Sequence, residues 1–185
     1  MSYVMVCLSL VIAGVFGISA MSKVLGRASY AGFRDSVHHL GGVPARSAQL
    51  VAVAVVALEL LVSAATVRPG TAPAGLGAAL LMLAAFTVVL SRAVRRGTSP
   101  ACHCFGAGSK PVSGRHVVRN LVLIAVAGAA LAMRLLTGAP RVSAPGLLLC
   151  LLVAGVVAAG VALLDDLVAL LRPVPPPDNQ TAGAG

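Results

Sequence analysis

The sequence predicts an all-α integral membrane protein, a bundle of five transmembrane helices, with four helices as the alternative. Hydrophobic residues make up 58% of the 185-residue chain and charged residues only 10%, whereas a soluble domain carries about a quarter charged residues. Five apolar runs approach or exceed the length of about 20 residues that crosses a bilayer as a helix. None of them has the polar face that a helix of a soluble bundle needs, which argues against a soluble protein.

The five predicted spans are separated by four polar connections. We place the spans at 3–25, 47–67, 74–94, 117–136 and 144–164. The first connection has room for a short interfacial helix in its first half, and Gly41-Gly42-Val43-Pro44 is typical of a turn before the second span. Pro69-Gly70 breaks the chain in the second connection, the third contains two cysteines, and Pro145 suits the first turn of the last helix.

The chain divides into one helical domain and a tail. The transmembrane domain is predicted to cover 1–172, with a cysteine loop at 95–116, and no internal repeat subdivides it. Segment 173–185, PVPPPDNQTAGAG, is Pro-rich and then small and polar. Such a segment cannot bury a core, so we expect a disordered tail.

The basic residues predict the orientation of the helices. Eleven of the fourteen flank the first connection, the third connection or the end of the last span: Lys23, Arg27, Arg34, Arg46, Arg92, Arg95, Arg96, Lys110, Arg115, Arg119 and Arg172. The other three, Arg68, Arg134 and Arg141, flank the second and fourth connections. Because short loops rich in Lys and Arg stay in the cytoplasm, we expect a bacterial inner-membrane protein with its N-terminus outside and its C-terminus and cysteine loop inside. Anionic lipid, rather than nucleic acid, then accounts for the net charge of +9.

Reactive side chains concentrate in the third connection, in the stretch SPACHCFGAGSKPVSGRH at residues 99–116. Cys102 and Cys104 are suited to a tight disulfide, to a soft metal held by two thiolates, or to disulfide exchange with one attacking and one resolving thiol. Residues i and i+2 of an extended chain lie about 7 Å apart, at the limit that a disulfide spans, so a bond between these cysteines is expected to be strained and easily reduced. His103 lies between them, and the basic neighbours favour the reactive thiolate.

Two other interpretations of the cysteine loop stay open. A copper(I)-handling protein would use Cys102 and Cys104 with His103 as a further ligand, since copper(I) accepts two thiolates. A membrane scaffold that recruits partners would need neither cysteine. The remaining histidines, His38, His39 and His116, lie in the first and third connections, either as additional metal ligands or as ordinary polar loop residues.

Glu59 is the only glutamate of the chain and lies midway along the second predicted span. An ionisable group at that depth is costly, so it must face the bundle interior, either protonated or paired. Ser19 and Lys23 are one helical turn apart near the end of the first span, but Lys23 is nearer the cytoplasmic end than Glu59. Direct pairing is therefore expected to need a tilted helix or a bridging water. Glu59 either fixes the helix order through a buried hydrogen bond or handles protons.

Cys7 and Cys150 lie a turn or two below the predicted outer surface. Each is interpreted as a small apolar core residue. The alternative is that they pair and form the outer end of a thiol relay that begins at Cys102 and Cys104.

These motifs resemble the MauE family of methylamine-utilisation membrane proteins, which is grouped with the DoxX-like redox-associated membrane proteins. The likeness covers residues 4 to about 136 and depends mainly on Cys102-His103-Cys104-Phe105-Gly106, followed by Pro111-Val112-Ser113 and Arg119-Asn120. Ser19-Ala20-Met21-Ser22-Lys23 and Leu58-Glu59-Leu60 are weaker matches. The family commonly has Gly at the position of His103.

The resemblance implies a redox or maturation helper rather than a metabolic enzyme. Such a protein needs no resident cofactor and works with a thioredoxin-like partner and a client protein that requires maturation. Together with the loop chemistry, it predicts that Cys102 and Cys104 exchange electrons or disulfides, that His103 assists them, and that Ser19, Lys23 and Glu59 form an intramembrane polar group.

Overall fold

The computed structural model describes residues 2–95, 101–102, 110–111, 114–138 and 142–170, apart from the side chains at 40–41, 101–102, 110–111 and 164–170. These residues form six helices and two strands: α1 Ser2–Val24, α2 Arg27–Gly41, α3 Ala45–Val67, α4 Ala72–Arg95, β1 Ala101–Cys102, β2 Lys110–Pro111, α5 Gly114–Thr137 and α6 Ala144–Leu170. All helices except α2 are long and apolar enough to cross a membrane, and in α6 the apolar span is Ala144–Leu163. The prediction of five transmembrane helices rather than four is confirmed, with span ends within three residues of those observed.

Helix α1 is the centre of the bundle and contacts all five other helices. Of its apolar span, 56% is buried inside the protein, against 17–33% for the other four spans. Ile12 and Phe16 of α1 pack with Leu76 and Leu83 of α4 in the largest apolar cluster. The outer helices present many exposed Leu and Val side chains, as expected where the surroundings are hydrocarbon rather than water.

Small residues allow the helices to approach closely at two places. A Cβ atom added at Gly75 would lie 2.7 Å from the backbone nitrogen of Thr66, so α3 and α4 touch beside the turn that joins them. A Cβ atom added at Gly14 would lie 3.1 Å from Cβ of Ala158, where α6 lies on α1. Membrane helices use such contacts because hydrophobic burial alone does not hold one helix to another in lipid.

Helix α2 is longer than the sequence predicted. The helix was expected only in the first half of the connection, but it continues through His38 and His39 to Gly41. It ends where Gly42 adopts the left-handed conformation with φ 64°, which glycine accepts without steric penalty. The turn predicted at Gly41-Gly42 is therefore present, and no residue before it breaks the helix. Phe33 is buried against α1 and α3, whereas Arg34 is exposed.

The third connection contains a short antiparallel strand pair. Ala101 lies opposite Pro111, and Cys102 lies opposite Lys110. Strand β1 also lies against α2, which places the cysteine loop and α2 at the same end of the bundle. Cys104, His103 and the predicted tail at 173–185 lie outside the described residues.

Candidate functional site

Three polar side chains predicted from the sequence meet inside the bundle, between α1 and α3. The Lys23 ammonium donates to both carboxylate oxygens of Glu59, at 2.7 Å to Oε1 and 2.8 Å to Oε2. It also donates to Ser19 Oγ at 2.7 Å, and this hydroxyl donates to Glu59 Oε1 at 3.1 Å. Lys23 is 1% exposed and Glu59 2%, so the site is a closed intramembrane ion pair.

The side chain of Lys23 accounts for the direct pairing. Lys23 is the penultimate residue of α1, but helical Cα–Cβ bonds tilt toward the N-terminus. Its stem therefore leads back along the helix, and the ammonium lies beside Ser19, one turn earlier. Because the side chain itself covers the difference in depth, the bridging water considered above is not needed.

The network satisfies its polar groups almost completely. An ammonium has three N–H donors, and here the three acceptors are Ser19 Oγ and the two oxygens of Glu59. The ring of Phe33 on α2 covers the ammonium at 4.8 Å from its centroid, a cation–π contact. The buried pair is neutral overall, and removing one partner alone would leave an uncompensated charge in the bundle.

A small cavity adjoins this network and extends toward the ends of α4 and α5 that flank the cysteine loop. Its volume is about 40 Å³, and its lining includes Lys23 and Glu59 together with Leu90, Arg119 and Asn120. Since a water molecule needs roughly 10–15 Å³ of such volume and polar partners, the cavity has the size and lining to hold a few waters. It is too small for an organic substrate, which requires several hundred Å³.

Two polar lining residues, Arg119 and Asn120, were not assigned to the site by sequence reasoning. Asn120 is 5% exposed and lies beside Arg119 inside the fourth predicted span. The sequence singled out the pair only as part of a family motif. A polar residue within an apolar span was the signal that would have assigned Asn120 to the bundle interior. Phe33 gave no such signal, because an aromatic residue on an amphipathic helix is ordinary.

The backbone of the cysteine loop is fixed at two points. Strand β1 pairs with β2 so that Cys102 lies opposite Lys110, and we call this strand pair the cysteine hairpin. The contact of β1 with α2 holds this hairpin at the end of the bundle nearer to Lys23 and Phe33. The predicted roles of Cys102, Cys104 and His103 concern side chains outside the described set and stay predictions.

Cys7 and Cys150 are neighbours at the α1–α6 interface. Both thiols are free. Cys150 is 3% exposed, and its thiol donates to the carbonyl oxygen of Tyr3 at 3.6 Å. The two residues lie near the N-terminal ends of α1 and α6, whereas the cysteine hairpin lies at the opposite end of α1, beside α2.

The described histidines are not gathered with other potential ligands. His38 Nδ1 lies 2.6 Å from the carbonyl oxygen of Val43, and its ring centroid is 4.8 Å from that of His39. His116 is buried near the start of α5. Among the residues that the structure describes, no three His, Cys, Asp or Glu side chains converge on a possible metal position.

Comparison with known proteins identifies the family. No curated protein and no solved structure matches the chain. The family model for methylamine utilisation protein MauE matches residues 1–133, well over half of the 185 residues. The match contains α1 to α4, the cysteine hairpin, most of α5 and the Ser19–Lys23–Glu59 network, whereas α6 lies beyond it. The chain therefore belongs to the MauE family of methylamine-utilisation proteins and is a multi-pass membrane protein of that family.

Proposed function

We propose that this chain is a thiol–disulfide exchange helper, which uses Cys102 and Cys104 to transfer electrons to or from a thioredoxin-like partner during maturation of a client enzyme. The observation that carries the proposal is the register of the cysteine hairpin, in which Cys102 lies opposite Lys110 and β1 lies against α2. One cysteine position is thus held by backbone pairing next to a basic residue. Family membership adds the association with methylamine utilisation.

The exchange proceeds in two balanced steps. One loop cysteine loses its proton and attacks a sulfur of the partner's disulfide, which forms a mixed disulfide and releases one partner thiolate. The second loop cysteine then attacks the loop sulfur of that mixed disulfide and releases the other partner thiolate. The partner gains two electrons and two protons, and the loop is left as a Cys102–Cys104 disulfide. The reverse sequence transfers oxidising equivalents to the partner.

Nearby positive charge supports thiolate formation in this loop. Lys110 pairs with Cys102 in the strand register, and Arg95 ends the helix that precedes the hairpin. A cation near a thiol favours the thiolate, which is the attacking species. His103 contributes further positive charge whenever it is protonated.

The buried network acts as the support of the hairpin rather than as a reacting group. The ammonium of Lys23 contacts the ring of Phe33 on α2, and α2 in turn lies against β1. Glu59 is therefore connected to the cysteine hairpin through three successive contacts: with Lys23, from Lys23 to Phe33 of α2, and from α2 to β1. Loss of the ion pair should lower exchange by displacing α2, with the thiols themselves unchanged.

Trapping of mixed disulfides tests the proposal. Cys102→Ser and Cys104→Ser should differ, because loss of the resolving thiol leaves a covalent complex with a thioredoxin-like partner, whereas loss of the attacking thiol leaves none. Cys150→Ser is the matched control, since it removes a thiol at the other end of the bundle and should trap nothing. The complexes are resolved by non-reducing electrophoresis and identified by mass spectrometry.

Two different results would contradict the exchange proposal, and each favours a different function. If neither loop variant traps a partner, and replacement of both cysteines abolishes copper(I) binding, the loop handles copper. If the double variant supports client maturation like wild type, the chain is a scaffold, and the exchange proposal fails.

A further inference from the structure

A separate apolar groove lies between the start of α2 and the outer face of α3. Its volume is about 490 Å³, within the range of roughly 300–1,000 Å³ that is typical of ligand sites. Val53, Ala57 and Leu60 form the α3 wall, which at 1.5 Å per residue is about 10 Å long. Val53 and Leu60 are 52% and 44% exposed, so this wall faces the lipid.

Polar groups are found at only one end of the groove. Tyr30 lines the groove, and its hydroxyl is buried with no hydrogen-bond partner among the described residues. Arg27 also lines the groove and is exposed, and within the described part of the chain it forms no ion pair. Arg34, two helical turns further along α2, is paired with Asp35 at 3.1 Å.

The start of α2 adds to the positive character of this end. Arg27 is the first residue of the 15-residue helix, and Gly26 before it provides no side-chain cap. The free backbone N–H groups and the helix dipole at such a terminus favour an anion. A buried hydroxyl without a partner normally requires an explanation, and an acceptor supplied by a ligand would be one.

We propose that this groove is a binding site for an anionic phospholipid of the surrounding bilayer. One acyl chain lies along Val53, Ala57 and Leu60, the phosphate is bound by Arg27 at the start of α2, and the Tyr30 hydroxyl donates to a phosphate or ester oxygen. The distribution of polarity favours this occupant, because the site has a cationic end joined to a long apolar wall open to the membrane. A helix of a second copy would meet the same wall but would leave Arg27 and Tyr30 without an acceptor.

The proposal is independent of the thiol chemistry. It concerns residues that the exchange reaction does not use, and Arg27 belongs to the basic group that predicts the cytoplasmic end of the bundle. At that membrane surface anionic lipids attract basic residues. Lipid binding at this site would make the position of α2 depend on the lipid composition of the membrane. The position of the cysteine hairpin, which contacts α2, would depend on it as well.

Thermal unfolding of the detergent-solubilised protein tests the proposal, with phosphatidylglycerol, phosphatidylcholine and inorganic phosphate as three separate additives. A ligand that binds only the folded protein raises the unfolding midpoint in a concentration-dependent way. Phosphatidylglycerol should raise the midpoint most, phosphatidylcholine less, and phosphate little. Arg27→Gln should weaken the apparent affinity for phosphatidylglycerol about fivefold, as expected for one basic residue near an anionic surface. Arg34→Gln, on the same helix, should leave it unchanged.

Tyr30→Phe separates the binding role of the hydroxyl from a structural one. Because the hydroxyl has no described partner, its removal should leave the lipid-free midpoint unchanged or higher. The same change should weaken phosphatidylglycerol binding several-fold. A destabilised lipid-free protein with unaltered lipid binding would show that the hydroxyl serves the fold only, contrary to the proposal.

A blocking substitution tests the apolar wall. Ala57→Leu fills the groove and should reduce the number of phosphatidylglycerol molecules retained in native mass spectrometry, whereas Ala54→Leu, exposed on the same helix outside the groove, should not. Equal loss in both variants, equal protection by inorganic phosphate, or a lipid-insensitive dimer that buries this face would each overturn the proposal.

Discussion

Replacement of Glu59 by Gln should destabilise the bundle strongly, although the side chain keeps its size and one of its acceptor oxygens. The change removes the carboxylate that pairs with the Lys23 ammonium, and Lys23 is 1% exposed. Breaking a buried pair in this way costs about 3–5 kcal/mol, because the remaining charge is left uncompensated. Glu59→Lys should be worse still, since it adds a second ammonium next to the first.

The stability lost when the ion pair is broken can be separated from the stability lost with an ordinary hydrogen bond. Ser63 Oγ donates to the carbonyl oxygen of Ala13 at 2.9 Å and joins the same two helices without charge. Ser63→Ala should therefore cost only about 1 kcal/mol. Lys23→Met combined with Glu59→Gln should regain most of the stability lost in Glu59→Gln alone, because no buried charge is left.

Unfolding in a defined detergent or bicelle measures these four variants and Lys23→Met alone under one condition. The expected result is a coupling energy of a few kcal/mol between Lys23 and Glu59 in a double-mutant cycle. If Glu59→Gln and Ser63→Ala are equally mild, or if the double variant is as unstable as the sum of its single changes, the ion pair does not hold α1 and α3 together. Equal tolerance of Gln and Lys at position 59 would place this side chain in water or among head groups.

Three further predictions concern other parts of the chain. Gly75→Ala should destabilise the protein by about 1–3 kcal/mol, because its Cβ would lie 2.7 Å from the α3 backbone, whereas Gly77→Ala, which meets nothing within 4 Å, should be neutral in the same unfolding assay. An impermeant thiol reagent applied to intact spheroplasts should miss Cys102 and Cys104, and ready labelling from outside would reverse the predicted orientation. His103→Gly should slow alkylation of the loop thiols near neutral pH, because it removes a group that favours thiolate when protonated; an unchanged rate would exclude His103 from that role.

The transmembrane spans were predictable because the bilayer constrains sequence strongly. A spanning helix must be apolar over about 20 residues, and that requirement fixed the observed spans to within three residues. Ser19, Lys23 and Glu59 were recognisable for the same reason, since polar residues near or within apolar spans are rare and costly. The sequence left open whether they meet, because the answer depends on the direction of the Lys23 side chain along α1.

Features formed between elements were harder to predict. The ring of Phe33 covers Lys23 only because α2 packs against α1 and α3, and no periodic pattern encodes that docking. The strand pair of the cysteine hairpin is two residues long on each side, too short to give an alternating signal. The groove beside Tyr30 likewise depends on how the start of α2 lies against α3, which composition does not determine.

The buried ion pair also explains how a protein made largely of similar apolar helices selects one axial register. Shape complementarity between Ala, Val and Leu surfaces distinguishes weakly between α1 and α3 shifted by one turn. A shift of one turn would separate Lys23 from Glu59 by about 5 Å along the helix axis and leave both charges unpaired inside the bundle. A buried polar group that penalises alternative registers is the best-attested use of such residues. Since α2 packs over Lys23 through Phe33 and β1 packs on α2, the register of α1 and α3 also determines where the cysteine hairpin lies.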